Sequence, residues 1–123
     1  MNDSRWVHVA RCELIPPREG RPVWIGDREI AIFNTADGFL ATDNQCPHKG
    51  GPLCDGIVTG RSVVCPLHAW KINLDSGAVE RPGGAGACVR TYPVRIEGGI
   101  VAVLAPAGVS HTEKVQDCQI VEA

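Results

Sequence analysis

The sequence predicts an all-β, sandwich-like fold on three observations. Short runs rich in valine and isoleucine recur along the chain, turn residues separate them, and no segment carries a sustained helical stripe. With 123 residues the chain has the length of one domain, 1–123, large enough to bury a core.

Taken in order, Val7 to Ala10 is the first expected strand, and Arg11 to Leu14 is the one stretch that reads as a short helical turn. Pro22 to Ile25 and Glu29 to Asn34 follow, joined across Gly26-Asp27. Phe39 to Thr42 comes next across Ala36-Asp37-Gly38, and Ser62 to Val64 is a further short strand. Asp75-Ser76-Gly77 marks another turn, and Val94 to Glu97 and Ile100 to Leu104 flank Gly98-Gly99. Branched side chains fit a pleated, half-buried surface, and the intervening Gly and Asp residues suit hairpin turns. Met1 to Asp3 and the tail 105–123, which carries His111 and Cys118, lack periodicity and are expected to fray. Of the six aromatic residues, Trp6, Trp24, Phe33, Phe39 and Tyr92 are expected to pack in the core. Trp70 either packs as well or shields a site two residues away.

Composition narrows the function. The net charge is −2 with no Lys/Arg cluster, which argues against nucleic acid as a partner. No apolar run has membrane-spanning length and no apolar leader follows a basic start, so the expected location is cytoplasmic, without a membrane. A chain this short does not hold a flavin, a haem and a substrate pocket together, so a partner protein is implied. Without an export signal, Cys12, Cys54, Cys88 and Cys118 are expected to be free thiols.

The chemistry is concentrated in two segments, Cys46-Pro47-His48-Lys49-Gly50-Gly51 and Cys65-Pro66-Leu67-His68-Ala69-Trp70. Each offers one sulfur and one imidazole. A two-iron, two-sulfide cluster leaves four outward positions, and in a Rieske centre two thiolates hold one iron while two histidines hold the other. Cys46, His48, Cys65 and His68 are therefore the candidate cofactor and metal ligands of one [2Fe–2S] cluster, with no catalytic residue. Pro47 and Pro66 disfavour helix at the preceding cysteine, and Gly50 and Gly51 allow the bend to continue. Zinc is a rival for the same donors, but neither a Cys-x-x-Cys knuckle nor a His-x-x-x-His pair is present. An all-cysteine cluster from Cys46, Cys54, Cys65 and Cys88 matches neither the bacterial nor the plant ferredoxin run. Arg81-Pro82-Gly83-Gly84-Ala85-Gly86 has no phosphate-binding lysine or following helix, and is expected to cover the cluster.

From Trp6 to about Leu104 the chain resembles the Rieske-type small subunit of NAD(P)H-dependent nitrite reductase. The likeness rests on Cys46-Pro47-His48-Lys49-Gly50-Gly51-Pro52-Leu53, Gly56-Ile57-Val58, Cys65-Pro66-Leu67-His68 and Cys88-Val89-Arg90-Thr91-Tyr92-Pro93-Val94. The last of these distinguishes it from a general Rieske ferredoxin. The resemblance implies stacked antiparallel sheets with a small cluster-binding subdomain, about residues 43–86. It also implies a large partner subunit carrying FAD, a [4Fe–4S] cluster and sirohaem, the whole reducing nitrite to ammonium in nitrate assimilation or in electron disposal. Cys46 and Cys65 would then bind the inner iron and His48 and His68 the outer one, and the subunit would transfer electrons without bond chemistry of its own. The second reading is a free-standing Rieske ferredoxin feeding a ring-hydroxylating oxygenase. The third is a zinc-stabilised or metal-free interaction module.

Rieske proteins of membrane respiratory complexes have a disulfide between the two loops and a serine and tyrosine that donate to cluster sulfur. Here Gly51 and Leu67 take the disulfide places, and Trp70 and Ile72 the hydroxyl places. Fewer donors to sulfur stabilise the reduced form less, so the expected midpoint lies at the low end of the Rieske window, on the order of −150 mV. A redox titration checks this, and a clearly positive midpoint contradicts it.

Overall fold

The computed structural model describes residues 5–46, 51–65, 69–81 and 88–105. Among the described residues, eleven strands run in the order β1 (Arg5–Arg11), β2 (Gly20–Ile25), β3 (Arg28–Thr35), β4 (Gly38–Asp43), β5 (Ile57–Thr59), β6 (Ser62–Val64), β7 (Lys71–Asn73), β8 (Val79–Arg81), β9 (Thr91–Tyr92), β10 (Val94–Glu97) and β11 (Ile100–Ala105). They form three antiparallel sheets, β1-β11-β10, β2-β3-β4-β9 and β5-β6-β7-β8. The only helical pieces among the described residues are single 3₁₀ turns at Cys12–Leu14 and Leu53–Asp55, the first of them where a short turn was expected.

All seven expected strands are present. The other four, β5, β7, β8 and β9, are two or three residues long, too short to show a period. Three of them belong to the third sheet. No helix of the described residues is long and apolar enough to cross a membrane.

β3 explains why the sheets stack. Ile30 and Ile32 point to one side, where they join Ala41, Tyr92, Val101 and Val103 in a core shared with the first sheet. Ala31 and Phe33 point to the other side, into a second core with Val63, Ile72, Cys46 and Cys65. All four β3 residues are 0–1% exposed, so strand alternation places one apolar set in each core. At roughly 1.5–3 kcal/mol for each fully buried large side chain, these two faces are a principal source of the fold's stability. β10 and β11 meet in a two-residue hairpin whose Gly98 and Gly99 both have positive φ, as a type I′ turn requires.

The segment after the glycine-rich stretch stitches the second and third sheets together. Cys88 bridges to Ala78, the Val89 amide donates to the Gly77 carbonyl at 2.9 Å, and the Asp43 amide donates to the Arg90 carbonyl at 2.9 Å. Tyr92 then pairs with Ala41 in β4. A Cβ on Gly77, whose φ is +81°, would lie 2.0 Å from the Val89 oxygen, so only glycine fits there. A second tie runs between turns, where the Arg61 guanidinium bonds Asp75 and also reaches Asp37 at 3.3 Å.

Two expectations are corrected. Trp24 does not pack in the core: it is 64% exposed, on the face of edge strand β2 opposite Val23 and Ile25, which do reach the core. Cys88 is not a free thiol but disulfide-bonded. The free-thiol expectation rested on compartment, which says nothing of the sulfurs that folding brings together. Cys12 and Cys54 are free, as expected. The residues 1–3, the glycine-rich stretch from Pro82 to Gly86 and the tail with His111 and Cys118 lie outside the described residues, apart from Ala105.

Candidate metal centre

Cys46 follows the end of β4 after Asn44 and Gln45, and Cys65 directly follows β6. Neither is in a disulfide, both are 1% exposed, and both belong to the apolar core between the second and third sheets. Their backbones are closed in the same way. The Cys46 amide donates to the Gly51 carbonyl at 2.7 Å, and the Cys65 amide donates to the Trp70 carbonyl at 2.8 Å. In each case the bond spans five residues, with the proline and the histidine of the motif inside the loop. His48 and His68, with Pro47, Lys49, Gly50, Pro66 and Leu67, lie outside the described residues.

The donor set fits a Rieske cluster on the cysteine side. Two reduced, water-shielded sulfurs in one core, at the starts of two matching loops, are what a buried inner iron needs. Trp70 is partly buried against this core, which supports the packing role, and Ile72 is fully buried in it. Neither side chain has a hydroxyl to donate to sulfur.

The first loop is held from below by Asn44, which is 7% exposed. Its Oδ1 accepts the Cys54 amide at 2.8 Å, and its Nδ2 donates to Glu29 Oε2 at 3.1 Å and to Cys54 Sγ at 3.2 Å. Burial pushes the Cys54 thiol up from its ordinary pKa, more than the Asn44 bond lowers it, so this sulfur stays protonated. Next to Asn44, Asp43 accepts from the Tyr92 hydroxyl and lies 3.5 Å from the Arg28 guanidinium. Burial, and then the bond to Asp43, raise the Tyr92 hydroxyl's pKa. On the exposed side, the Arg61 guanidinium holds the Asp75 carboxyl below the usual range.

The two cysteines that sequence reasoning named as candidate ligands lie in one buried core, whereas Asn44 and the polar role of Tyr92 were missed. A polar residue between an apolar strand and a ligand was the available signal for the first.

The Rieske [2Fe-2S] domain pattern matches residues 5–93. The chain belongs to the Rieske [2Fe-2S] domain family. It is 31% identical over 101 residues to the ferredoxin component of the naphthalene 1,2-dioxygenase system of Pseudomonas aeruginosa, covering 81% of this chain and 95% of that protein. Among solved structures, a candidate NADH-dependent nitrite reductase small subunit from Mycobacterium tuberculosis superposes with a TM-score of 0.75 at 25% identity, over 83% of this chain and 96% of the other. The Sphingomonas yanoikuyae B1 ferredoxin gives 0.73 at 27% identity, over 83% and 100%. As a Rieske domain the chain carries one Rieske-type [2Fe–2S] cluster and serves electron transfer as an oxidoreductase component. This membership replaces the zinc and metal-free readings.

Proposed function

We propose that this Rieske domain is the electron-transfer small subunit of a cytoplasmic NAD(P)H-dependent nitrite reductase. Its partner is a large subunit with FAD, a [4Fe–4S] cluster and sirohaem, which reduces nitrite to ammonium. The carrying observation is the segment from Cys88 to Val94, which resembles that family and here stitches the cluster-side sheet to the sheet beneath it. The likeness to the mycobacterial structure supports the same reading. The whole chain, 1–123, is taken as one Rieske domain, with a cluster-binding part at about 43–86 and a tail at 105–123.

Cys46 and Cys65 are the proposed inner-iron ligands, and His48 and His68 the outer ones. Bound there, the cluster accepts and donates one electron at a time. The chain's own part is to bury the two sulfurs, exclude water through Phe33, Ile72 and Trp70, and fix both loops by the paired amide bonds.

The reading as a ring-hydroxylating oxygenase ferredoxin is favoured by the 31% identity over nearly all of a dioxygenase-system ferredoxin. Affinity purification from the native cell separates the two. Recovery of a sirohaem-containing subunit is the expected result. Reduction by a ferredoxin reductase, with onward transfer to an oxygenase and no sirohaem partner, would reverse the choice.

A further inference from the structure

Asn44 is the buried polar residue that ties three separate pieces of backbone together at the base of the first loop. Its own amide donates to the Glu29 carbonyl at 3.0 Å, anchoring it to the start of β3. Its side chain then reaches across to the 3₁₀ turn at Leu53–Asp55, accepting from the Cys54 amide and donating to the Glu29 carboxylate and the Cys54 sulfur. Asn44 lies two residues before Cys46 and Cys54 eight after it, so this one amide group spans the chain entering and leaving the loop.

The orientation of the amide is forced. The Cys54 N–H requires the oxygen, and the Glu29 carboxylate requires the NH₂; a flipped amide would set donor against donor and oxygen against carboxylate. No ionised or apolar side chain of this volume supplies both.

Resting on the assignment of Cys46 as an iron ligand, we propose that Asn44 is a positioning residue for the cluster, acting through its donor–acceptor polarity between Glu29 and Cys54. It fixes where the first loop enters and leaves, and the Cys46 amide bond to Gly51 closes the loop inside that clamp. Partners that orient a metal ligand are worth about 10–100-fold in metal affinity.

Asn44→Asp is nearly isosteric, keeps the acceptor for the Cys54 amide and turns the donor into an oxygen facing the Glu29 carboxylate. Two carboxylates at that separation cannot both ionise comfortably. Adding Glu29→Gln restores a complementary pair with its polarity reversed. The measurements are loss of the visible cluster absorption under a chelator and the EPR spectrum of the reduced protein. The expected result is that N44D loses the cluster about tenfold faster than wild type with altered g values, while N44D/E29Q returns to within about threefold with wild-type g values.

Retention by N44D within about twofold of wild type would overturn the proposal, as would a double variant no better than N44D. If N44D does not accumulate, Asn44→Ala serves instead: loss about threefold faster supports the proposal, and unchanged retention overturns it. Iron and acid-labile sulfide absent from the wild-type chain would overturn the ligand assignment and the proposal together. That failure shows in the wild type, whereas failure of the Asn44 inference alone shows only in the variants.

Discussion

The Cys65 amide donates to the Trp70 carbonyl at 2.8 Å, and this bond closes the second loop across five residues of its motif. Cys46 and Gly51 repeat the arrangement in the first loop. Matching closures of this kind present one sulfur from each loop to the same buried space, which is the geometric requirement of a shared cluster.

Removing the cluster should open these loops and loosen the third sheet with them, while leaving the first and second sheets intact. The loops contribute little apolar mass, whereas β3 is buried on both faces. Binding energy of a metal group is folding energy for the segments that hold it. Hydrogen exchange on holo and apo protein should show lost protection across about 43–86, including the Cys46 and Cys65 amides, with Ile30 to Phe33 unchanged. Equal protection in both forms would contradict this.

Inside the second loop, Ala69 has φ +57°, a left-handed conformation for a residue with a Cβ. That conformation costs about 1–2 kcal/mol outside glycine, while glycine itself gives back about 0.4–1 kcal/mol in unfolded-chain entropy. Ala69→Gly should therefore stabilise the protein by about 0.5–1 kcal/mol, and Ala69→Val should destabilise it by at least as much. Urea unfolding of the three proteins measures both. A loss of stability in A69G would contradict the argument.

Gly77 tests the seam between the sheets. Its φ of +81° and the 2.0 Å approach of the Val89 oxygen mean that Gly77→Ala meets both backbone strain and a backbone clash. Gly98 has a similar φ, +59°, but open space around it. Gly98→Ala should cost about 1 kcal/mol and Gly77→Ala about 3 kcal/mol or more. The difference, read by denaturant midpoint at constant slope, isolates the close packing of Val89 on the turn. Equal losses would mean that the segment moves aside freely.

The legible parts of the sequence were those whose signal is local. Seven strands were readable because each is a run of branched residues bounded by turn residues, and Cys46 and Cys65 stood out as candidates because each heads a loop motif. β5, β7 and β8 were not, because a three-residue strand gains its identity from its neighbours in the third sheet rather than from its own pattern. The partners of Asn44 were not legible for the same reason: they are Glu29, fifteen residues back, and Cys54, ten residues on. The exposure of Trp24 and the bonding of Cys88 likewise depend on which edges and sulfurs the fold brings together.

Tyr92 couples stability to alkaline pH. It is 6% exposed, and its hydroxyl donates to the Asp43 carboxylate, so the folded state holds its proton more tightly than the unfolded chain does. A group whose pKa is raised by folding contributes stability that is complete below its unfolded pKa, about 10 for tyrosine, and is lost as pH rises from there toward the folded value. Wild-type stability should thus begin to fall above about pH 10 in part through Tyr92. Tyr92→Phe should cost about 1–3 kcal/mol at neutral pH, because a half-buried carboxylate loses a donor, while Arg28 remains beside it. The same variant should show a shallower decline above about pH 10, since it has one proton fewer to release. Urea unfolding at neutral and alkaline pH measures both effects, and parallel declines in the two proteins would assign the alkaline limb to other groups.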